Sequence, residues 1–382
     1  MSDEQRLILK MLEEGKISAA EAEALLNALG QPEVLEEEER SADVWEKVEK
    51  QGEDFAKKVE SAAERFARNM EEKVEPRLAD KLSRLSKMLS RFPFVSTDDT
   101  YEFSEEFYGT FQEDGDIALT LKTSTGRISV QGWNEPQFRL VVVQRIRAKD
   151  RESALGKMYR VELPSEEALR ELSIDVPSFP DTSVSLVLSV PRTVIYQLGF
   201  NTHSGSISVA DLYTRTARLT TSVGSIEVQG LQGESIECTT VNGSCRAEQI
   251  TAESFVGRTG NGSLKLKQLQ GEKVDCETSN GSIRVEPVVR GTAHYTLNTT
   301  NGSIRIVQSD AEVKTAFDLY TTVGRISVPE EAFEITNADR RSGGWHLAGK
   351  SPGFEGGANR LHLHAKTGSG SIRLDTSGGG QD

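Results

Sequence analysis

A mainly β fold is predicted: a single-stranded β-solenoid of rungs about 19 residues long, preceded by an α-helical hairpin and a long amphipathic helix. Three observations predict it. The phrase Thr-x-x-Gly-(Ser/Arg)-Ile-x-Val, or a close variant, occurs nine times, with glycines at Gly126, Gly205, Gly224, Gly243, Gly262, Gly281, Gly302, Gly324 and Gly370. From Gly205 to Gly281 the spacing is 19 each time, and the next two intervals are 21 and 22. On both sides of each glycine apolar residues alternate with polar ones, as in Leu119/Leu121 before Gly126 and Ile128/Val130 after it. Period two means strand–turn–strand with one buried face, and a fixed period near 20 means that neighbouring units bury it.

Residues 1–31 come first in chain order. Leu7, Ile8, Met11 and Leu12 form an apolar stripe that ends at Gly15. Ile17 follows, and Ser18-Ala-Ala-Glu21 is a capping box opening a second helix with Leu25, Leu26 and Leu29. So few residues bury little surface, so self-association or docking through these side chains is expected. Residues 32–41 are an acidic linker.

Residues 42–95 read as a long amphipathic helical segment, interrupted at Pro76. Beyond it Leu78, Leu82, Leu85, Leu89 and Phe92 recur at helical spacing, flanked by Arg77, Lys81, Arg84, Lys87 and Arg91, with Asp80 the single acid. Such a helix can pair with a partner helix, cap the solenoid or lie on an anionic membrane; partner or capping contacts are the leading expectation.

The β domain is expected over residues 96–376, with residues 377–382 a disordered tail. Asn242, Asn261, Asn280 and Asn301 precede four successive turn glycines and suit tight turns with positive φ. Stacked rungs would align these asparagines, and the serines after the glycines, into ladders. The 79 residues between Gly126 and Gly205 are expected to hold enlarged rungs and a polar, helix-compatible excursion over 149–170. The 46 between Gly324 and Gly370 should hold a surface loop and one irregular strand pair.

Composition narrows function. The formal net charge is −14; residues 1–40 carry 4 basic and 11 acidic groups, and residues 41–92 carry 12 and 11. An acidic chain is a poor candidate for binding nucleic acid. No apolar run approaches the ~20 residues of a membrane-spanning helix and no signal sequence is evident, so a cytoplasmic location, peripheral at the membrane, is expected. Cys238, Cys245 and Cys276 fall at inward positions and read as small core residues. His362 and His364 alternate with inward leucines and lack a third ligand at fixed spacing, and His203, His294 and His346 are scattered. The turns lack the Asp of calcium-binding β-rolls, and no helix follows the glycines to cradle phosphate. No catalytic residue, metal or cofactor is expected.

The run Val190-Pro191 through Leu198-Gly-Phe-Asn-Thr202-His-Ser-Gly205-Ser-Ile207-Ser-Val209, with the repeats after it, resembles a bacterial β-strand-repeat family of candidate adhesins. The front segment Leu9-Lys-Met-Leu-Glu-Glu-Gly15-Lys-Ile17-Ser18-Ala-Ala-Glu21-Ala-Glu-Ala-Leu25-Leu26 resembles short bacterial two-helix oligomerisation modules. Together they are similar to the LiaX/YvlB-like proteins associated with Gram-positive envelope stress. The resemblance implies a non-enzymatic scaffold of the envelope-stress response, with the helices as docking and oligomerisation arm and the polar ladders as a ligand surface. The alternative is an exported adhesin or surface-binding protein. A polysaccharide-active solenoid enzyme ranks last, because the outward acids Glu227, Glu237, Glu253 and Asp275 form no register pair.

Overall fold

The computed structural model describes residues 99–376, apart from 113, 164–167 and 342–343. The predicted helical hairpin, linker, amphipathic helix and tail lie outside the described residues, as do the contact residues assigned to them.

Each rung has a long first strand, a turn at the repeat glycine and a shorter second strand. In the Gly224 rung these are Tyr213–Val223 and Ile226–Gln229. First strands pair in parallel with first strands and second with second, at an offset of one repeat: Cys238 lies beside Leu219, and Ile226 beside Ile207. That pairing makes the stack a solenoid, because hairpins of a rolled sheet would pair antiparallel within one unit. The inward Ile, Leu and Val of both sheets form one continuous buried core.

Two corners hold the sheets together. At the glycine corner the repeated threonine is buried and donates its hydroxyl to the glycine carbonyl of the preceding rung. Thr221 bonds Gly205 O at 2.9 Å, Thr240 bonds Gly224 O at 2.9 Å and Thr259 bonds Gly243 O at 2.8 Å. The glycine itself is required by close stacking. A Cβ on Gly262, whose φ is +157°, would fall inside the van der Waals radius of Gly243 O. At the far corner one residue per rung turns left-handed: Asp211, Gly230, Gln249 and Gln268, each 19 after the last, with φ between 50° and 60°. At the next far corner Pro287 cannot adopt positive φ; the left-handed residue becomes Gly291, and this interval lengthens to 21.

The ends depart from sequence order. The last copy, Arg360–Ser369 with Ile372–Thr376, lies between the Gly302 and Gly324 rungs: Leu363 pairs with Tyr295 on one side and Phe317 on the other. At the opposite end the Gly126 rung lies between the Gly205 rung and one built from Glu171–Val176 and Thr182–Pro191, which lacks the phrase. The Gly126–Gly205 interval therefore holds one rung, not several enlarged ones. The rest is a capping strand, Gln137–Arg147, antiparallel to Thr182–Pro191 and Thr100–Thr110, plus a short helix, Arg151–Gly156, capped by Asp150. The expected irregular pair before Gly370 is Glu334–Arg341 with Gly344–Lys350, antiparallel to each other, and Gly344–Lys350 is antiparallel to Lys314–Val323 as well. Antiparallel strands at these ends cover edges that parallel rungs would leave open to further pairing.

Candidate binding faces

Period-two alternation sends every second residue outward, and in-register stacking converts each outward position into a row along the solenoid. The turn edge carries two rows. Asn261 donates to Asn242 Oδ1 at 2.8 Å, Asn280 to Asn261 at 2.9 Å and Asn301 to Asn280 at 3.0 Å. Beside them the backbone N–H of Ser263 donates to Ser244 Oγ at 3.3 Å, and that of Ser371 to Ser303 Oγ at 3.3 Å. The predicted ladders are thus present, and turn geometry together with laddering accounts for the Asn-Gly-Ser repeats.

The outer face of the first strands carries alternating charge. Arg218 pairs with Glu237 at 3.1 Å, and Arg258 meets Glu237 at 3.6 Å and Asp275 at 3.2 Å. Arg215 binds Asp116 and Glu234, and the Arg215 hydrogen bond is the main reason the Asp116 carboxyl sits below its usual range. Toward the far end of this face an open groove of about 530 Å³ is lined by Lys273, Asp275, Glu277, His294, Thr296 and Asn298.

Next to that groove the structure gathers histidines that look scattered in sequence. His294 and His362 stack with ring centroids 4.5 Å apart, and Phe354 meets His362 edge-on at 5.1 Å. Burial, then neighbouring His294 and Arg360, lowers the His362 pKa. His346 Nε2 lies 2.5 Å from Asp318 Oδ1, and His364 Nδ1 lies 3.3 Å from Asp318 Oδ2. His362 and His364 do project outward, as alternation predicts. His346 comes from Gly344–Lys350 and His294 from a rung 68 residues upstream in register, so sequence spacing had no means of joining them. Among the described residues no group of three or more His, Cys, Asp or Glu is arranged to hold a metal ion.

On the second strands, the third residue after the glycine forms an outward row that sequence reading missed: Ser129, Ser208, Glu227, Arg246, Lys265, Arg284, Arg305, Arg373 and Ser327. Its signal was available at a fixed offset from each turn, hidden only by the displaced order of the last two rungs. Five consecutive members are cationic.

The three cysteines are free and fully buried, as their inward positions predict. The Cys245 contact and burial push the Cys238 thiol well up, and burial does the same for Cys276. Both thiols are held in the unreactive form. Of the outward acids weighed for catalysis, Glu227 is paired with Arg246, while Glu237 and Asp275 share Arg258.

Among solved structures, a candidate adhesin of Bacteroides fragilis is similar at 13% identity, covering 72% of this chain and 96% of its own, with a TM-score of 0.37. A candidate cell adhesion protein of Clostridium sporogenes is similar at 8% identity over 72% of this chain and 99% of its own, with a TM-score of 0.22. No curated protein matches the chain. A SHOCT-like domain model matches residues 3–33. The Toastrack DUF4097 model matches residues 118–350, more than half of the chain, and stops short of Arg360–Thr376, the strand pair inserted between earlier rungs. The chain belongs to the Toastrack DUF4097 family.

Proposed function

We propose that this chain is a non-enzymatic binding protein that engages an extended ligand or a surface through the outer faces of its solenoid, in the manner of an adhesin. The observation that carries this reading is the set of in-register polar and charged rows along the stack, built on a continuous apolar core. The pairing of Glu227, Glu237 and Asp275 with arginines argues the same way, since a catalytic carboxylate pair needs groups free to hold or transfer a proton.

On this reading the segment matched by the SHOCT-like model is a docking or self-association arm, using Leu7, Ile8, Met11, Leu12, Ile17, Leu25, Leu26 and Leu29. The basic segment with Arg77, Lys81, Arg84, Lys87 and Arg91 is a contact to a partner or membrane. A second reading, a cytoplasmic scaffold of the envelope-stress response, keeps these parts and differs in compartment. It draws on the order of the two segments, SHOCT-like before Toastrack.

Fractionation of cells with protease treatment of intact cells, followed by binding of the purified full chain to isolated envelopes, tests both. Protease-accessible protein that binds envelopes is expected. Protein confined to the cytosol overturns the adhesin reading, and turnover of cell-wall polysaccharide by the purified chain overturns the non-enzymatic one.

A further inference from the structure

We propose that the outer face of the second strands is a track for a linear phosphate polyanion lying along the solenoid axis over Arg246, Lys265, Arg284, Arg305 and Arg373. The inference rests on the reading of the solenoid as a binding surface and names the ligand class of one face.

These five residues are direct neighbours in successive parallel strands. With rungs about 4.8 Å apart they form a single file of positive charge about 19 Å long. Like charges placed directly opposite on a sheet destabilise it. The fold does not demand them, since the same position is serine in the Gly126, Gly205 and Gly324 rungs and glutamate in the Gly224 rung. The chain as a whole carries −14, so the file opposes the overall charge. The displaced last rung contributes Arg373, extending the file beyond Arg305 where Ser327 would otherwise follow.

The surroundings suit a narrow anion. Four of the five cations are arginines, whose forked donors match phosphate oxygens. Carboxylates steady them: Glu227 holds Arg246 at 3.3 Å, Glu286 holds Arg284 at 2.9 Å, and Asp375 bridges Arg305 at 2.8 Å and Arg373 at 2.5 Å. Burial works to raise the Asp375 pKa, but the hydrogen bonds from Arg373 and Arg305 outweigh it and hold the carboxyl ionised below its usual range. Each of these arginines remains roughly half exposed, with donors to spare. On the turn side runs the serine row, whose hydroxyl oxygens accept backbone N–H groups from the next rung and line the file with polar groups.

A single file between hydroxyls and carboxylates fits one strand of polymer better than a plane of lipid headgroups, which would also meet Glu248, Glu286 and Asp375. The second strands of these rungs present no aromatic side chain on which a base could stack, so phosphate rather than nucleic acid is indicated.

The test is binding of the full chain to medium-length inorganic polyphosphate, to a poly(glycerol phosphate), to single-stranded DNA and to phosphatidylglycerol vesicles, across a salt series. The variant K265S/R284S/R305S uses the residue already tolerated at this position, and R218S/R258S removes equal kinds of charge from the other face. Both phosphate polymers should bind the wild type and R218S/R258S alike. The triple variant should lose at least about tenfold, with a shallower salt dependence by about two counterions. Unchanged polymer binding in a folded triple variant overturns the proposal, as does tighter binding of vesicles or DNA than of polymer. Wild-type protein that binds isolated envelopes but neither polymer defeats this inference alone; protein that binds neither envelopes nor polymer defeats the underlying reading as well.

Discussion

Along the first-strand face a charge on one rung meets its opposite on the next: Arg218 lies beside Glu237 and Arg258 beside Glu277. Along the second-strand face Arg246, Lys265, Arg284, Arg305 and Arg373 repeat one sign. Backbone, period and core are common to both faces, so the difference is not dictated by the fold. Alternation adds a few tenths of a kcal/mol per pair, whereas repetition subtracts a similar amount. One face is arranged to hold the stack together, and the other gives up some stability to present a field.

The comparison supposes that one corner carries both faces, and the largest effect should come from breaking it. Gly262→Ala places a Cβ against Gly243 O at a backbone conformation unfavourable to L residues. With no flexible side chain to yield, we expect a loss of about 4 kcal/mol or more. In a stack whose units are stabilised by their neighbours, urea unfolding should then split into more than one phase. A single transition shifted by under about 1 kcal/mol would mean that the glycine corner does not couple the sheets.

Thr240→Val keeps shape at the same corner and deletes the hydroxyl that donates to Gly224 O. Leaving that carbonyl underbonded should cost about 1–2 kcal/mol by chemical denaturation. A neutral result would assign the repeated threonine to packing alone.

How much of this was legible beforehand follows from what is local. Strand, turn and inward residues repeat with short sequence offsets, so the solenoid, the Asn and Ser ladders and the buried Cys238, Cys245 and Cys276 could be read directly. The threonine could be seen to recur, but its partner belongs to the preceding rung and its role needed the stacking geometry. The inserted Arg360–Thr376 rung could not be read, because its own phrase is as regular as the others and only the strand pairing reveals its place. For the same reason His294 and His346 did not suggest a cluster with His362 and His364, and the arginine file was not recognised across the Gly302–Gly370 step.

On the first-strand face, Glu237→Arg removes the contacts to Arg218 and Arg258 and brings three like charges together. Both arginines are substantially exposed, so a loss of about 1 kcal/mol is expected, shrinking in high salt. A salt-independent loss of that size would point to packing instead of charge.

Asp375 offers a pH test on the second-strand face. Its folded pKa is depressed, so its contribution is present above the unfolded carboxylate value of about 3.9 and disappears as pH falls through the lower folded value. Asp375→Asn should therefore lower stability near neutrality and leave it unchanged once the wild-type carboxyl is protonated. Parallel stability curves for the two proteins down to the acid limit would show that Arg305 and Arg373 do not hold the carboxylate.

The smallest effect is the one that separates the two faces most clearly. Lys265 stands between Arg246 and Arg284, so Lys265→Glu converts two like-charge neighbours into opposite pairs. The side chain is exposed and leaves the core untouched, and its neighbours Leu264 and Leu266 remain inward. If repetition of charge costs stability, this substitution should raise it by about 0.5 kcal/mol at low ionic strength, with the gain fading as the Debye length falls below the rung spacing at about 1 M salt. A charge reversal that stabilises one face while Glu237→Arg destabilises the other would establish that the faces obey opposite rules. Loss of stability from both would mean that the second-strand file is held by contacts to its carboxylates, and that its uniform sign carries no cost.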